Sequence, residues 1–296
     1  MSYSFRKSDT TLDDAVRRVA GSQVSAALAE LDDPALDEAT RVHQVRKRCK
    51  KMRGLIRLVR PGFADHAAEN EAFRDLARSL SALRDAAAGY EILDVLEHRF
   101  AGTLGTEFFA TVRSHLGTDG PAPGRPPARK QMAMTRAALE DALARIADWE
   151  VTGGAPKVIA KGVAKTYARA HDAMALAATT GEPADFHEWR KRAKYHWYQM
   201  RLMRRMWPKV MLARVDEAEA LTKGLGEQHD LFVLRTERLG GLQAADGKAF
   251  AVLDSLIRAE EARLARRCLK RGRRLFAEDP DAFAGRVAAY WKAWRD

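Results

Sequence analysis

Cysteine is nearly absent from this chain: Cys49 and Cys268 are the only two among 296 residues. They have no metal-ligand spacing, and two reduced thiols point to a soluble cytoplasmic protein rather than a disulfide scaffold or a zinc module. Long apolar runs are missing as well. No stretch approaches the length that crosses a bilayer, and the opening Met1-Ser2-Tyr3-Ser4-Phe5-Arg6-Lys7 carries no signal-peptide core. No membrane partner is expected. The Val/Ile alternation of strands is absent too, which leaves a helical class. Proline is sparse, and four prolines crowd into residues 117–127 with three glycines. That stretch cannot sit inside a helix and reads as a flexible surface loop.

What is present is a helical chain with a cationic excess. Hydrophobic residues make up 46% and charged residues 31%, enough for one large domain or two modest ones with real cores. The 51 basic residues exceed the 40 acidic ones, giving a formal charge of +11. So many acids exclude a histone-like tail, so the positions of the cations decide what they do. Thr10-Thr11-Leu12-Asp13 reads as a helix start and Asp32-Asp33-Pro34 as its stop. A second helix runs from about Leu36 to Arg60, ended by Pro61-Gly62. After a break at Thr152-Gly153-Gly154-Ala155-Pro156, helices resume at about Pro156, Asp185, Lys209 and Gly247.

One basic segment occurs twice. His43-Gln44-Val45-Arg46-Lys47-Arg48-Cys49-Lys50-Lys51 is matched by His187-Glu188-Trp189-Arg190-Lys191-Arg192-Ala193-Lys194-Tyr195. The histidines are 187 − 43 = 144 positions apart, nearly half the chain. A repeat on this scale implies two similar halves, residues 1–152 and 153–296. On a helical wheel Val42, Val45, Cys49, Met52, Ile56 and Val59 form a heptad-like core seam. His43, Arg46, Lys50, Arg53 and Arg57 form a cationic strip directly beside it, flanked by Lys47. In the second copy Phe186, Trp189, Ala193, Met200 and Met203 take the seam. His187, Arg190, Lys194 and Arg201 take the strip, flanked by Lys191, and Trp197 stands where Arg53 stood.

An ordinary solvated face lies opposite the core, not beside it. Like charges stacked at this spacing repel, and a bound polyanion removes the cost. Further cations come from Lys157, Lys161 and Lys165, with Tyr167 and Arg169 near them. Arg263, Arg266, Arg267 and Lys270 lie toward the C-terminus, and Arg74 and Arg78 are candidates in the first half. A second matching pair, Leu80-Ser81-Ala82-Leu83-Arg84-Asp85 and Leu225-Gly226-Glu227-Gln228-His229-Asp230, supports duplication. Its aspartates read as helix caps.

Twice-repeated His-x-x-Arg-Lys-Arg-x-Lys in a basic helical chain resembles the CHAD domain, the conserved histidine α-helical domain. The resemblance covers about Leu12 to Trp294. It implies two pseudo-symmetric four-helix bundles from an internal duplication, with a basic groove or pore. It also implies binding of inorganic polyphosphate and, in some members, association with polyphosphate granules. Carried onto this chain, the binding positions are His43, Arg46, Lys47, Lys50, His187, Arg190, Lys191 and Lys194. Lys165, Tyr167 and the Arg263–Lys270 stretch follow. The triphosphate-processing domain that often accompanies this family has no Glu-x-Glu-x-Lys opening here.

Two other classes compete. Nucleic acid suits basic strips equally well, but no zinc finger or RNA-recognition signature is present. A phosphohydrolase using the repeated histidines is the third class. A metal-dependent one wants clustered carboxylates, and the two segments contain only Glu188. The expectation is a non-enzymatic polyphosphate binder with no cofactor and no metal.

Overall fold

A computed structural model of the chain describes residues 3–80, 85–116, 128–239 and 247–296. They form α-helices and one π-helical turn, with no strand among the described residues. The all-α expectation holds. The first helices are α1 (Leu12–Asp32), α2 (Glu38–Val59), α3 (His66–Ser79), α4 (Asp85–Leu104), α5 (Thr106–Leu116) and α6 (Ala128–Ala147). Then follow α7 (Ala155–Thr180), α8 (Pro183–Met203), α9 (Pro208–Val233), the π-helical turn Leu234–Arg238, α10 (Gly247–Leu275) and α11 (Pro280–Arg295).

Local chemistry sets these boundaries. Thr11 accepts from the Asp14 backbone N–H while the Asp14 carboxylate accepts from that of Thr11, a capping box that starts α1. Asp37 accepts from the Thr40 N–H at 2.7 Å and starts α2. Proline stands in the first turn of α7, α8, α9 and α11, where a missing N–H costs nothing. Gly181 ends α7 with φ 71°, a left-handed backbone that favours glycine.

The loop expected at 117–127 and the segment Ser81-Ala82-Leu83-Arg84 lie outside the described residues. The cap expected of Asp230 is not found. Asp230 lies within α9, and its carbonyl accepts from the Leu234 N–H.

Helix α1 packs against α2 and α6, α2 against α3, and α3 against α6. In the second half α7 packs against α8, α10 and α11, α8 against α9, and α9 against α10. Helix α2 reaches across to α7 and α8. The larger core includes Met52, Leu55, Ile56, Leu58, Trp189 and Tyr198. Each fully buried large apolar side chain contributes about 1.5–3 kcal/mol. A second cluster joins Leu93, Leu96, Phe109 and Val112 to Leu231, Phe250, Leu253 and Ile257. Both clusters draw residues from either side of position 152.

Two glycines let α2 approach the second half closely. A Cβ on Gly162 of α7 would lie 1.7 Å from the Leu58 carbonyl oxygen. One on Gly54 would lie 2.8 Å from the Tyr198 Cβ.

Candidate functional site

The α2 seam residues Val42, Val45, Cys49, Met52, Ile56 and Val59 are all buried. Beside them Arg46, Lys50, Arg53 and Arg57 are half-buried, while His43 and Lys47 are exposed. Arg46 donates to the Ala77 carbonyl of α3 at 2.8 Å, and Arg53 to Asn70 Oδ1 at 3.3 Å. The guanidinium carbons of Arg57 and Arg53 lie 4.4 Å and 5.6 Å from the centre of the Tyr195 ring on α8. Stacking on an aromatic face lets partly desolvated cations stand close together. Arg48 and Lys51 leave the strip. Arg48 pairs with Glu30 of α1 at 2.5 Å. Lys51 is buried beside Gln23 and the Tyr3 ring, and burial, then Arg48, Arg201 and Lys47, bring its pKa down to about 7.

On α8, Lys194 Nζ lies 4.3 Å and the Arg201 guanidinium carbon 4.9 Å from the centre of the Trp197 ring. Trp197 thus has two cations of the strip against its ring. Burial and Arg190 lower the Lys194 pKa to about 8, with Arg201 and Lys47 adding to the fall and Glu219 opposing it. Arg190 lies against α9, its Nη2 3.4 Å from where a Cβ on Gly226 would stand. Lys191 is exposed and pairs with Glu188 at 2.7 Å. The His187 ring lies 4.1 Å from that of His229 on α9. Burial pushes both pKa values down to about 4; His229, Lys191 and Arg190 add to the fall at His187. His187 is therefore neutral at neutral pH.

The two basic helices meet in opposite directions. Lys51 feels Arg201, Gly54 meets Tyr198, Arg57 meets Tyr195, and Arg60 feels Arg192. His43 and His187 each lie 11 residues from the Gly54–Tyr198 contact (54 − 43 and 198 − 187), about 16 Å of helix, on opposite sides of it. The geometry does not bring the two histidines together.

It does bring together a group of cations at the end of α2. A cavity of about 300 Å³ between α2, α3 and α7 is lined by Ile56, Arg57, Arg60, His66, Ala67, Asn70, Glu71, Arg74, Lys165 and Arg169. An adjoining cleft shares Arg57, Arg60 and Arg169 and adds Thr166, Arg192 and Tyr195. The Nε and Nη2 of Arg60 and the Nε of Arg57 are buried with no hydrogen-bond partner among the described residues. Burial, then Arg169, Arg57 and Arg192, lower the Arg60 pKa to about 10. Arg60 and Arg169 in turn hold the Lys165 pKa below its ordinary value. Buried donors without acceptors and cations that repel one another both favour an anion.

Other expected residues sit elsewhere. Tyr167 is in the core, stacked on Phe283 with ring centres 4.7 Å apart, and its hydroxyl accepts from the Glu278 N–H at 3.1 Å. Its aromatic surface is spent on packing, so it stands apart from the basic face. Arg263, Arg266, Arg267 and Lys270 are exposed on α10, which packs on α9 and α7. Arg263 pairs with Glu260 at 2.7 Å and Arg267 with Glu227 at 3.6 Å.

Arg60, Arg192, His66 and Tyr195 escaped the sequence reading of the site. For Arg60 the signal was there: it continues the three-and-four rhythm from Arg53 and Arg57. Among the described residues no group of three or more His, Cys, Asp or Glu side chains is placed to hold a metal ion. No described helix is long and apolar enough to cross a membrane.

No curated protein matches the chain. The family model of the CHAD domain matches residues 18–240, which runs from within α1 to the π-helical turn, takes in both basic segments and leaves α10 and α11 outside. The paired histidine-led segments on α2 and α8, and this match over most of the sequence, place the chain in the CHAD domain family.

Proposed function

We propose that this protein binds inorganic polyphosphate, without catalysis, on the cationic face made by α2, α7 and α8. The observation that carries the reading is the group Arg57, Arg60, Lys165, Arg169 and Arg192: burial and neighbouring cations hold down the pKa values of Arg60 and Arg169, neighbouring cations hold down that of Lys165, and buried donors of Arg57 and Arg60 lack acceptors among the described residues. Polyphosphate is a row of charges without bases. Arginine meets phosphate oxygens in pairs and lysine acts as a point charge. The α2 strip presents about one cation per turn, roughly 5.4 Å apart, and Lys47, Lys50, Arg190 and Lys194 extend it. The Tyr195 ring, beside the cations, already has Arg57 at 4.4 Å, which disfavours base stacking and with it nucleic acid.

The same proposal includes the architecture and the setting. The neighbours α1, α2, α3 and α6, and likewise α7, α8, α9 and α10, are read as two four-helix bundles from one duplication, joined at α2 and α8. Association with polyphosphate granules is the cellular setting it implies.

The test is a pair of titrations with long-chain polyphosphate and pyrophosphate, with released phosphate measured in parallel. The long chain binds at least 100-fold more tightly per molecule, because several tethered phosphates engage one face, and no phosphate is released. Equal affinity for both ligands points to a small-phosphate pocket and overturns the reading. Steady release of phosphate overturns its non-catalytic part.

A further inference from the structure

The cationic face ends in the cavity beyond the last turn of α2, and that cavity differs chemically from the strip. We propose that it receives the terminal phosphate of the chain, so that the protein holds polyphosphate by an end as well as along its length. The inference rests on the polyphosphate reading and adds to it which part of the polymer is recognised.

Three observations carry it. The first is charge. Arg57, Arg60, Lys165 and Arg169 converge on the cavity, while Glu71 and Arg74, also in its wall, pair with each other. A terminal phosphate carries about −1.5 to −2 at neutral pH, with a second pKa of about 6. An internal phosphate carries a single charge. This group of cations therefore matches the end.

The second is the proton. His66 Nδ1 lies 3.0 Å from the Phe63 carbonyl oxygen. A carbonyl only accepts, so Nδ1 is the protonated nitrogen of the neutral ring and Nε2 carries the lone pair. That nitrogen can accept the hydrogen bond of a P–OH group. Only a terminal phosphate has that proton.

The third is size and field. A cavity of about 300 Å³ is at the small end of ligand sites, suited to one compact group. His66 and Ala67 in its wall begin α3, where the aligned amides of a helix start attract negative charge.

The experiment uses the full chain and long-chain polyphosphate with its two ends either free or capped as phosphoramidates. Capping alters few charges in a long polymer, so a change in affinity reports the ends. The uncapped polymer is expected to bind the unaltered protein at least fivefold more tightly than the capped one. Linear tripolyphosphate is likewise expected to bind at least tenfold more tightly than cyclic trimetaphosphate, which has no end. Arg60→Met reduces both preferences to less than twofold and leaves residual binding of the long polymer. Lys165→Gln, an exposed change that does not threaten folding, weakens them in the same direction. Equal binding of capped and uncapped polymer, with tight binding of both, overturns the inference and leaves the polyphosphate reading standing. Failure to bind the uncapped polymer overturns both.

Discussion

Gly54 of α2 and Tyr198 of α8 hold equivalent places in the two copies, 198 − 54 = 144 positions apart, and they touch. A Cβ at position 54 would stand 2.8 Å from that of Tyr198. The repeated helices thus meet at matching residues, and the contacts on either side correspond. Arg57 reaches Tyr195 on one side; on the other, Arg201 acts on Lys51, with the Tyr3 ring beside both. The α2–α8 contact is what gathers cations from two distant parts of the sequence onto one face.

Closing this contact requires small residues. Gly162→Ala forces a methyl group into the Leu58 carbonyl, and overpacking of this kind costs about 1–3 kcal/mol. Urea unfolding of Gly162→Ala is expected to show a loss in that range, with polyphosphate affinity falling as the helices part. An unchanged midpoint would mean that α2 and α7 are not so close.

Lys194 gives the apo protein and the complex opposite responses to alkali. Its pKa is lowered to about 8, against about 10.4 in an unfolded chain. Between those values the unfolded state binds more protons, so apo stability rises with pH across this window. Over the same window the folded protein loses a cation from its binding face. Melting temperature is expected to rise from pH 8 to pH 10 while polyphosphate affinity falls; Lys194→Met reduces both trends, and Lys51, whose pKa is brought down to about 7, sustains the rest of the rise in stability. Parallel trends in the unaltered protein would contradict the assignment.

The His187–His229 pair makes an acid-side prediction. Both pKa values lie near 4, against about 6.5 for a free imidazole. The unfolded chain takes up protons first, so the contribution to stability is full above about pH 6.5 and is lost progressively toward pH 4. His187→Gln with His229→Gln is expected to reduce the fall in melting temperature between pH 6.5 and 4. Because both rings are neutral above pH 6, the double variant keeps the unaltered protein's pH profile of polyphosphate binding from pH 8 to 6. A profile that changes in this range would make His187 a cation of the site.

Much of this was legible in the sequence, for reasons that particular residues make plain. The seam from Val42 to Val59 and the strip from His43 to Arg57 follow from helical periodicity alone, and both hold. The starts of α1 and α2 were written in Thr11 and Asp14 and in the break before Glu38. Tyr167 misled because a one-dimensional reading cannot tell which face of α7 lies under α11. Tyr195, the last residue of the second repeat, is half-buried between α8 and α2, beneath Arg53 and Arg57, a place that only the crossing of the two helices defines. The cavity was illegible because Arg60, His66 and Arg169 belong to three helices, and only packing brings them together. Asp230 read as a cap from its place at the end of a matched segment, but α9 runs on through it to Val233.

The most direct test of the central claim is the affinity of Arg57→Glu with Arg60→Glu for long-chain polyphosphate, measured at fixed low salt beside the unaltered protein. Both residues lie off the apolar seam but are half-buried, so helicity and a cooperative melt are measured first to establish that the variant is folded. Two reversed charges among the cations at the end of α2 repel the polymer and remove two counterion-releasing contacts. The expected result is a loss of affinity of at least 100-fold, with a shallower dependence of the remaining binding on salt. A folded double variant that binds within twofold of the unaltered protein, with the same salt dependence, would contradict the account.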